Sequence, residues 1–233
     1  MLNDVQAATL GEHEFGAGRG VAELVCLFIG TGVGGGVIAG DRLLQGCGGS
    51  AAELGHVAVE LEGEPCHCGS RGCLEAYVGG WAIIERARKL IAADPSGGAA
   101  LLDLAGGDAG AVTAGVVAAA ARRGNPGARE ILLAAERALG VGAASIVNAF
   151  NPCLLVLGGG VVEAVPQLIQ AAEAGVRTRA LRAAAARMRI ERAALGSDAG
   201  SLGAAVWVRR ALSTASRPCP SAPGRIDPPS PSR

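Results

Sequence analysis

A chain of 233 residues, half of them hydrophobic, can bury a sizeable core as one large domain or two small ones. Its 21 Lys and Arg balance its 21 Asp and Glu, which excludes a global field that would draw it to nucleic acid or an anionic membrane surface. A small neutral ligand or another protein is the expected partner.

The chain begins with "NDVQAATLGEHEFG", which predicts a helix over residues 4–14. Asn3 or Asp4 caps its free N–H groups, and His13 is a solvated helix residue. "AELVCLFIGTG" is an apolar strand running into glycines. In "GGVIAGDRLLQG" the pair Gly40-Asp41 marks a hairpin turn between two further strands. Helices are expected over 74–94, about 111–123 and 127–149, the last two parted by "GNPG". "NPCLLVLGGGVV" gives a strand entering three glycines, "PQLIQAAEAGVRTRALRAAAA" a helix, "MRIERAAL" a strand, and "AGSLGAAVWVRRAL" a closing helix. An antiparallel meander followed by alternating helix and strand predicts an α/β fold.

The uncharged run 138–162 is long enough to span a bilayer, but Asn148, Asn151 and Pro152 interrupt it, so it reads as buried helix, turn and buried strand. No charged start leads into an apolar signal segment, and the expected location is the cytoplasm. From Ser213 onward the chain carries six of its 11 prolines and almost no apolar anchor, so residues 213–233 are expected to be a disordered tail.

In a reducing compartment the seven cysteines stay as thiols unless they hold a metal. Cys26 and Cys153 lie in apolar runs and read as small buried hydrophobes, and Cys219 lies in the tail. "CHCGSRGC" is different. Cys66, Cys68 and Cys73 supply three thiolates at spacings that let one loop wrap a zinc ion, with Gly69 and Gly72 allowing the turns. His67 stands between two ligands and points away from them in an extended loop, which leaves His56 as the favoured fourth ligand. With all four positions filled by protein, the site would be structural.

"GTGVGG", residues 30–35, matches a dinucleotide fingerprint, but strand and turn follow where that motif requires a helix, so a Rossmann site is rejected. A glycine turn between strands can still cradle phosphate, with Thr31 adding a hydroxyl. "LGGGVV" is a second close-approach loop. For both loops the alternative is a tight turn without a ligand.

Together these segments resemble the ROK family of sugar kinases and sugar-responsive repressors. The resemblance rests on "ELGHVAVELEGEPCHCGSRGCLEAY", which fits E-x-G-H followed by C-x-C-G-x-x-G-C-x-E, and extends in order from Asn3 to about Leu212. It implies an actin-like, hexokinase-type ATPase fold and phosphorylation of a hexose or N-acylated amino sugar by ATP with Mg2+. Residues 1–20 would be a remnant of the N-terminal lobe and 21–212 the C-terminal lobe. The resemblance assigns Asp4 as catalytic base, and Asn3, Asp4, Glu53, His56 and Glu75 as sugar contacts. His56, Cys66, Cys68 and Cys73 would hold zinc, with Thr31, Gly32, Gly158, Gly159 and Gly160 about the nucleotide. A homodimer is common in the family.

Simpler roles stay open for three acids. Ser50 and Glu53 fit a capping box, Asp4 fits an N-cap, and Glu75 fits a first-turn acid. The family's N-terminal D-x-G-x-T phosphate loop has no counterpart here, so this chain is expected to be impaired as a kinase. The alternatives are a sugar-binding remnant or a sugar-sensing regulator, although no helix-turn-helix or basic face is present to support the latter.

Overall fold

The structure, a computed structural model, describes residues 2–215. Helix α1 (Asp4–Phe15) opens the chain, followed by strands β1 (Leu24–Ile29), β2 (Val33–Ala39) and β3 (Arg42–Leu43). Then come α2 (Glu75–Val78), α3 (Gly80–Ala93), α4 (Pro95–Leu104), α5 (Ala114–Arg122) and α6 (Pro126–Phe150). Strand β4 (Leu154–Gly158), α7 (Gly160–Ala164), α8 (Gln167–Arg179), α9 (Arg182–Ala185), β5 (Arg189–Arg192) and α10 (Ala199–Ala215) complete the order.

The strands form one sheet in the order β3-β2-β1-β4-β5. β1, β2 and β3 make the expected antiparallel meander, while β4 lies parallel to β1 and β5 parallel to β4. Gly40 and Asp41 turn the β2–β3 hairpin with φ of 56° and 61°, the left-handed pair that suits the twist of the flanking strands.

Side-chain alternation along β1 explains the layering. Val25, Leu27 and Ile29 face a large core shared with α2, α3 and α5 to α8, whereas Leu24 and Cys26 face a smaller one with Leu10 of α1 and Trp207 of α10. The sheet is therefore covered on both faces. Residues 1–20, expected as the remnant of another lobe, contribute α1 to that smaller layer, packed against α10 and β2.

Where α1 crosses α10 the backbones nearly touch. A Cβ added at Gly203 would lie 1.6 Å from the carbonyl oxygen of Ala7, so no side chain fits without parting the helices. Gly203→Ala is expected to destabilise the protein by about 3 kcal/mol, read as a fall of the urea midpoint. A midpoint equal to that of the unaltered chain would show that α1 and α10 are not held at this distance.

Several sequence expectations need correction. The helix expected over 74–94 is two helices, because Gly79 is extended (φ −60°, ψ 142°) and the N–H groups of Gly80 and Trp81 turn to the carbonyls of Gly30 and Thr31. α4 was not foreseen; Asp94 caps it by accepting from the N–H groups of Ser96 and Gly97. The helix after Pro166 breaks at Ala180 into α8 and α9. His13 is buried, not solvated, with the β2–β3 turn beside its ring. Its Nε2 lies 3.2 Å from an Asp41 carboxylate oxygen. Cys153 is exposed, since it sits in the turn leading into β4 rather than in the strand. α10 continues to Ala215, past the expected start of the tail, and residues 216–233 lie outside the described residues. No helix among the described residues is long and apolar enough to cross a membrane.

Candidate metal and sugar site

The start of β2 is the meeting point of the segments that carry the candidate residues. Gly34 and Gly36 face α1, where added Cβ atoms would strike Val5 and Thr9; Gly35 faces the other way, toward Ala52 and Leu54. The glycines let a helix and a loop approach the two faces of one strand. Asp4, the first residue of α1, thus stands on one side of β2. The 3₁₀ turn Leu54–His56, which carries Glu53 at its start and His56 at its end, stands on the other.

Asn3 caps α1 by accepting from the Gln6 N–H at 2.7 Å, while the Gln6 amide returns to the Asn3 N–H. Asp4 is exposed and accepts from its neighbour Val5 N–H at 2.9 Å. The cap is Asn3, so the capping alternative for Asp4 falls. Glu53 occupies the N-cap position of its 3₁₀ turn but makes no side-chain cap bond, so its capping box does not form.

The side chains of His56, Cys66, Cys68 and Cys73 converge, with their donor atoms all within 4.8 Å of one another. Cys68 Sγ is 3.7 Å from Cys73 Sγ, and Cys66 Sγ is 3.8 Å from His56 Nδ1. Thiolates bound to one tetrahedral zinc at ordinary bond lengths are about 3.8 Å apart, so the donor set fits that ion in chemistry and spacing. None of the three cysteines forms a disulfide, since all the described cysteines are free.

The loop is shaped for this convergence. Its strands bridge at Ala58–Cys73 and Pro65–Arg71, and Gly72, with φ 69°, passes beneath the Glu60 carbonyl, where any Cβ would collide, just before Cys73. Tyr77 buttresses the outer turn by donating to the Glu60 carboxylate and accepting the Glu64 N–H. Without a cation, burial pushes the Cys66 thiol up and the Cys73 thiol up to about 12, whereas the backbone N–H of Ser70 holds Cys68 below its usual range. A cation among them reverses that balance by favouring thiolates.

His67 is not in the cluster. Its ring stacks on Trp81, with centroids 3.8 Å apart and planes 18° apart. Trp81 donates its indole Nε1–H to Glu75 Oε1 at 3.3 Å, and Glu75 Oε2 accepts the Val33 N–H at 2.8 Å. A Cβ on Gly32 would lie 2.6 Å from that carboxylate, so the missing side chain of Gly32 makes room for Glu75.

A cavity of about 730 Å³ runs from this junction, lined by Gly30, Thr31, His67, Trp81, Thr113 and Gly160 among others. It joins the two glycine loops. Gly158 and Gly159 line a separate space of about 330 Å³ that shares Gly160, and Gly159 lies too close to the Ile29 backbone for any side chain. After the three glycines the chain enters α7, which sequence reasoning missed, so this loop leads from strand to helix. Sequence reasoning also passed over Trp81, whose only signal was its place six residues after Glu75.

Comparison with known proteins agrees with this arrangement. The model of the ROK family matches residues 1–211. A glucokinase of Streptomyces coelicolor is 38% identical over 158 residues, covering 68% of this chain and 50% of the relative. The DNA-binding transcriptional dual regulator NagC of Escherichia coli is 32% identical over 210 residues, covering 90% of this chain and 50% of the relative. This chain thus spans about half the length of these curated relatives. Among solved structures, the ROK family glucokinase of Streptomyces griseus in complex with glucose and AMPPNP superposes with a TM-score of 0.74 at 35% identity, over 90% of this chain and 68% of that one. On the match across nearly all its described residues, with the sheet order and glycine loops found here, the chain belongs to the ROK family and adopts its actin-like sugar-kinase fold.

Proposed function

We propose that the chain binds a hexose and carries the residues that prepare it for ATP-dependent phosphorylation, on a lobe organised by a structural zinc ion. The observation that carries this reading is the junction at Glu75. One short helix begins two residues after Cys73, and its first side chain reaches the glycine loop that borders the large cavity. Folding the metal loop thereby sets a carboxylate beside the space where a ligand would lie.

His56, Cys66, Cys68 and Cys73 would hold the zinc, which supplies cross-linking of the loop and no open position for water. His56 turns Nδ1 to the thiols, so its Nε2 is left for a sugar hydroxyl. Glu53 and Glu75 would accept hydrogen bonds from other hydroxyls. Asn3 spends its oxygen on the cap and keeps its amide N–H groups for the sugar. Asp4 is the proposed base: its carboxylate takes the proton of the attacking hydroxyl. ATP with Mg2+, when bound, supplies the phosphoryl group, and Thr31, Gly32 and Gly158 to Gly160 belong to the loops around it. Of these, Thr31 and Gly160 border the large cavity directly. Free thiols suit a reducing compartment such as the cytoplasm.

A second reading, a sugar-sensing regulator, draws support from the 32% identity to NagC along 90% of this chain. One experiment separates them. Glucose and N-acetylglucosamine are titrated calorimetrically into the chain, and sugar phosphate is followed in the presence of ATP and Mg2+. The kinase reading expects Asp4→Asn to bind sugar within a few-fold of the unaltered chain while phosphorylation drops at least about 100-fold. Saturable binding with no phosphorylation in either protein favours a sugar-binding remnant or regulator over an active kinase, and absence of sugar binding removes all of these readings.

A further inference from the structure

The metal loop and the glycine loop are joined by a path that the family motif does not contain. His67 lies between the ligands Cys66 and Cys68, yet its ring leaves the cluster and stacks on Trp81. Trp81 is the second residue of α3 and is tied twice to the far side of the junction. Its backbone N–H donates to the Thr31 carbonyl at 3.0 Å, and its indole N–H donates to Glu75 Oε1. Glu75 then reaches Val33 N–H at the start of β2. His67 and Trp81 both border the cavity of about 730 Å³, so the stack forms part of its wall.

A carboxylate that must receive a hydroxyl in one orientation needs its other contacts fixed. Glu75 is half-buried and sits on a helix of only four residues, which offers little rigidity of its own. Its two oxygens are fixed from opposite sides, one by backbone and one by an indole. The indole in turn is held flat by a ring whose backbone neighbours are metal ligands. Stacked rings at this separation add attraction beyond the area they bury, and one hydrogen bond to a charged acceptor is stronger than a neutral one.

We infer that Trp81 is a positioning residue, with His67 as its clamp, through which metal in the His56–Cys66–Cys68–Cys73 cluster sets the orientation of Glu75. The inference rests on the sugar-binding reading of Glu75 for its functional consequence, though its structural half does not. Losing the metal frees the loop, releases the His67 ring from Trp81 and leaves Glu75 with the Val33 N–H alone.

The test uses four variants: Trp81→Phe, His67→Ala, His67→Phe and Trp207→Phe. Trp207→Phe makes Trp81 the sole tryptophan, since the chain has two. Trp81→Phe keeps an aromatic face but removes the N–H, and it is expected to weaken glucose binding about tenfold with zinc content unchanged. His67→Ala is expected to weaken binding about threefold, and His67→Phe, which restores a stacking ring, to recover it. In the Trp207→Phe background, stripping zinc with a chelator is expected to change Trp81 emission, and that change is expected to vanish when His67→Ala is added. Glucose affinity within twofold in Trp81→Phe overturns the inference, as does Trp81 emission indifferent to the chelator. If the unaltered chain binds no hexose, the sugar reading fails, and the emission measurement alone then supports or overturns the coupling.

Discussion

Replacing Cys73 by serine should empty the metal site and lower the thermal midpoint by about 10 °C, a shift equivalent to about 3 kcal/mol for a chain of this size. Little else holds the loop. Between Gly46 and Arg71 most residues are exposed, and Leu61 is almost fully so at 87%. The backbone bonds that cross the loop, among them Val59 N–H to Gly72, Leu74 N–H to Val57, Cys66 N–H to Ser70 and Gly72 N–H to Glu64, tie it mainly to itself. Such a segment cannot offset its own ordering entropy by burial. Structural zinc in small sites contributes on the order of 10 kcal/mol at neutral pH, more than enough to order it. Only part of that reaches the global midpoint, because most of the core around Val25, Leu27 and Leu139 comes from the sheet and helices, to which the loop adds Leu54, Cys66 and Cys73. The expected pattern is therefore a lost zinc, a protease-sensitive loop and a lowered midpoint in a chain that keeps its helical signal. Cys66 and Cys73 have raised thiol values in the metal-free protein, so protons compete with the ion. Zinc should leave progressively as pH falls below neutrality, the direction expected when binding releases protons. A serine variant that retains one zinc per chain contradicts the ligand assignment.

The second large effect is expected at Glu12, which carries no catalytic role. Its carboxylate is fully buried, yet it is surrounded by backbone donors: the Ala17 N–H at 2.9 Å, the Ala194 N–H at 2.9 and 3.1 Å, and the Leu195 N–H at 2.9 Å. One side chain thus ties the end of α1 to the segment after β5, nearly the whole chain away in sequence. Glu12→Ala removes the acceptor from three partly buried N–H groups, each costing about 1–2 kcal/mol when left without a partner. A loss of about 4 kcal/mol is expected, measured as the drop in unfolding free energy in urea. Glu12→Gln keeps the shape and one acceptor but turns an amide N–H toward other donors, and it should lose about half as much. Equal stability of Glu12→Ala and the unaltered chain would contradict the geometry.

These two sites mark what could and could not be read from the sequence. The metal cluster was legible because its chemistry is local: three cysteines and a histidine within 18 residues leave few other uses, and the structure brings the same four donors together. The meander was legible for the same reason, since Gly40-Asp41 acts over a few residues, and the cap was narrowed to Asn3 or Asp4, of which the structure uses Asn3 with Gln6. Glu12 was illegible, because its partners Ala194 and Leu195 lie 182 and 183 residues away and an isolated glutamate on a helix ordinarily reads as solvated. His13 misled in the same way: its neighbours in sequence are polar, but the side chain is buried beside Asp41, 28 residues later. α4 escaped because Gly97 and Gly98 weaken any helical pattern, while tertiary contact and the Asp94 cap supply what propensity lacks. Gly32 carried a phosphate-binding expectation from its motif. In the folded chain its lack of a side chain serves the approach of Glu75, a residue 43 positions later in the sequence.

The central claim is that a metal-ordered loop and a sugar pocket are one unit. It is tested most directly by calorimetric titration of glucose into the same preparation before chelation, after chelation and after zinc is restored. The account predicts saturable heat in the first and third titrations and its loss in the second, with circular dichroism unchanged apart from the loop. Equal glucose affinity in zinc-replete and zinc-free protein would contradict it.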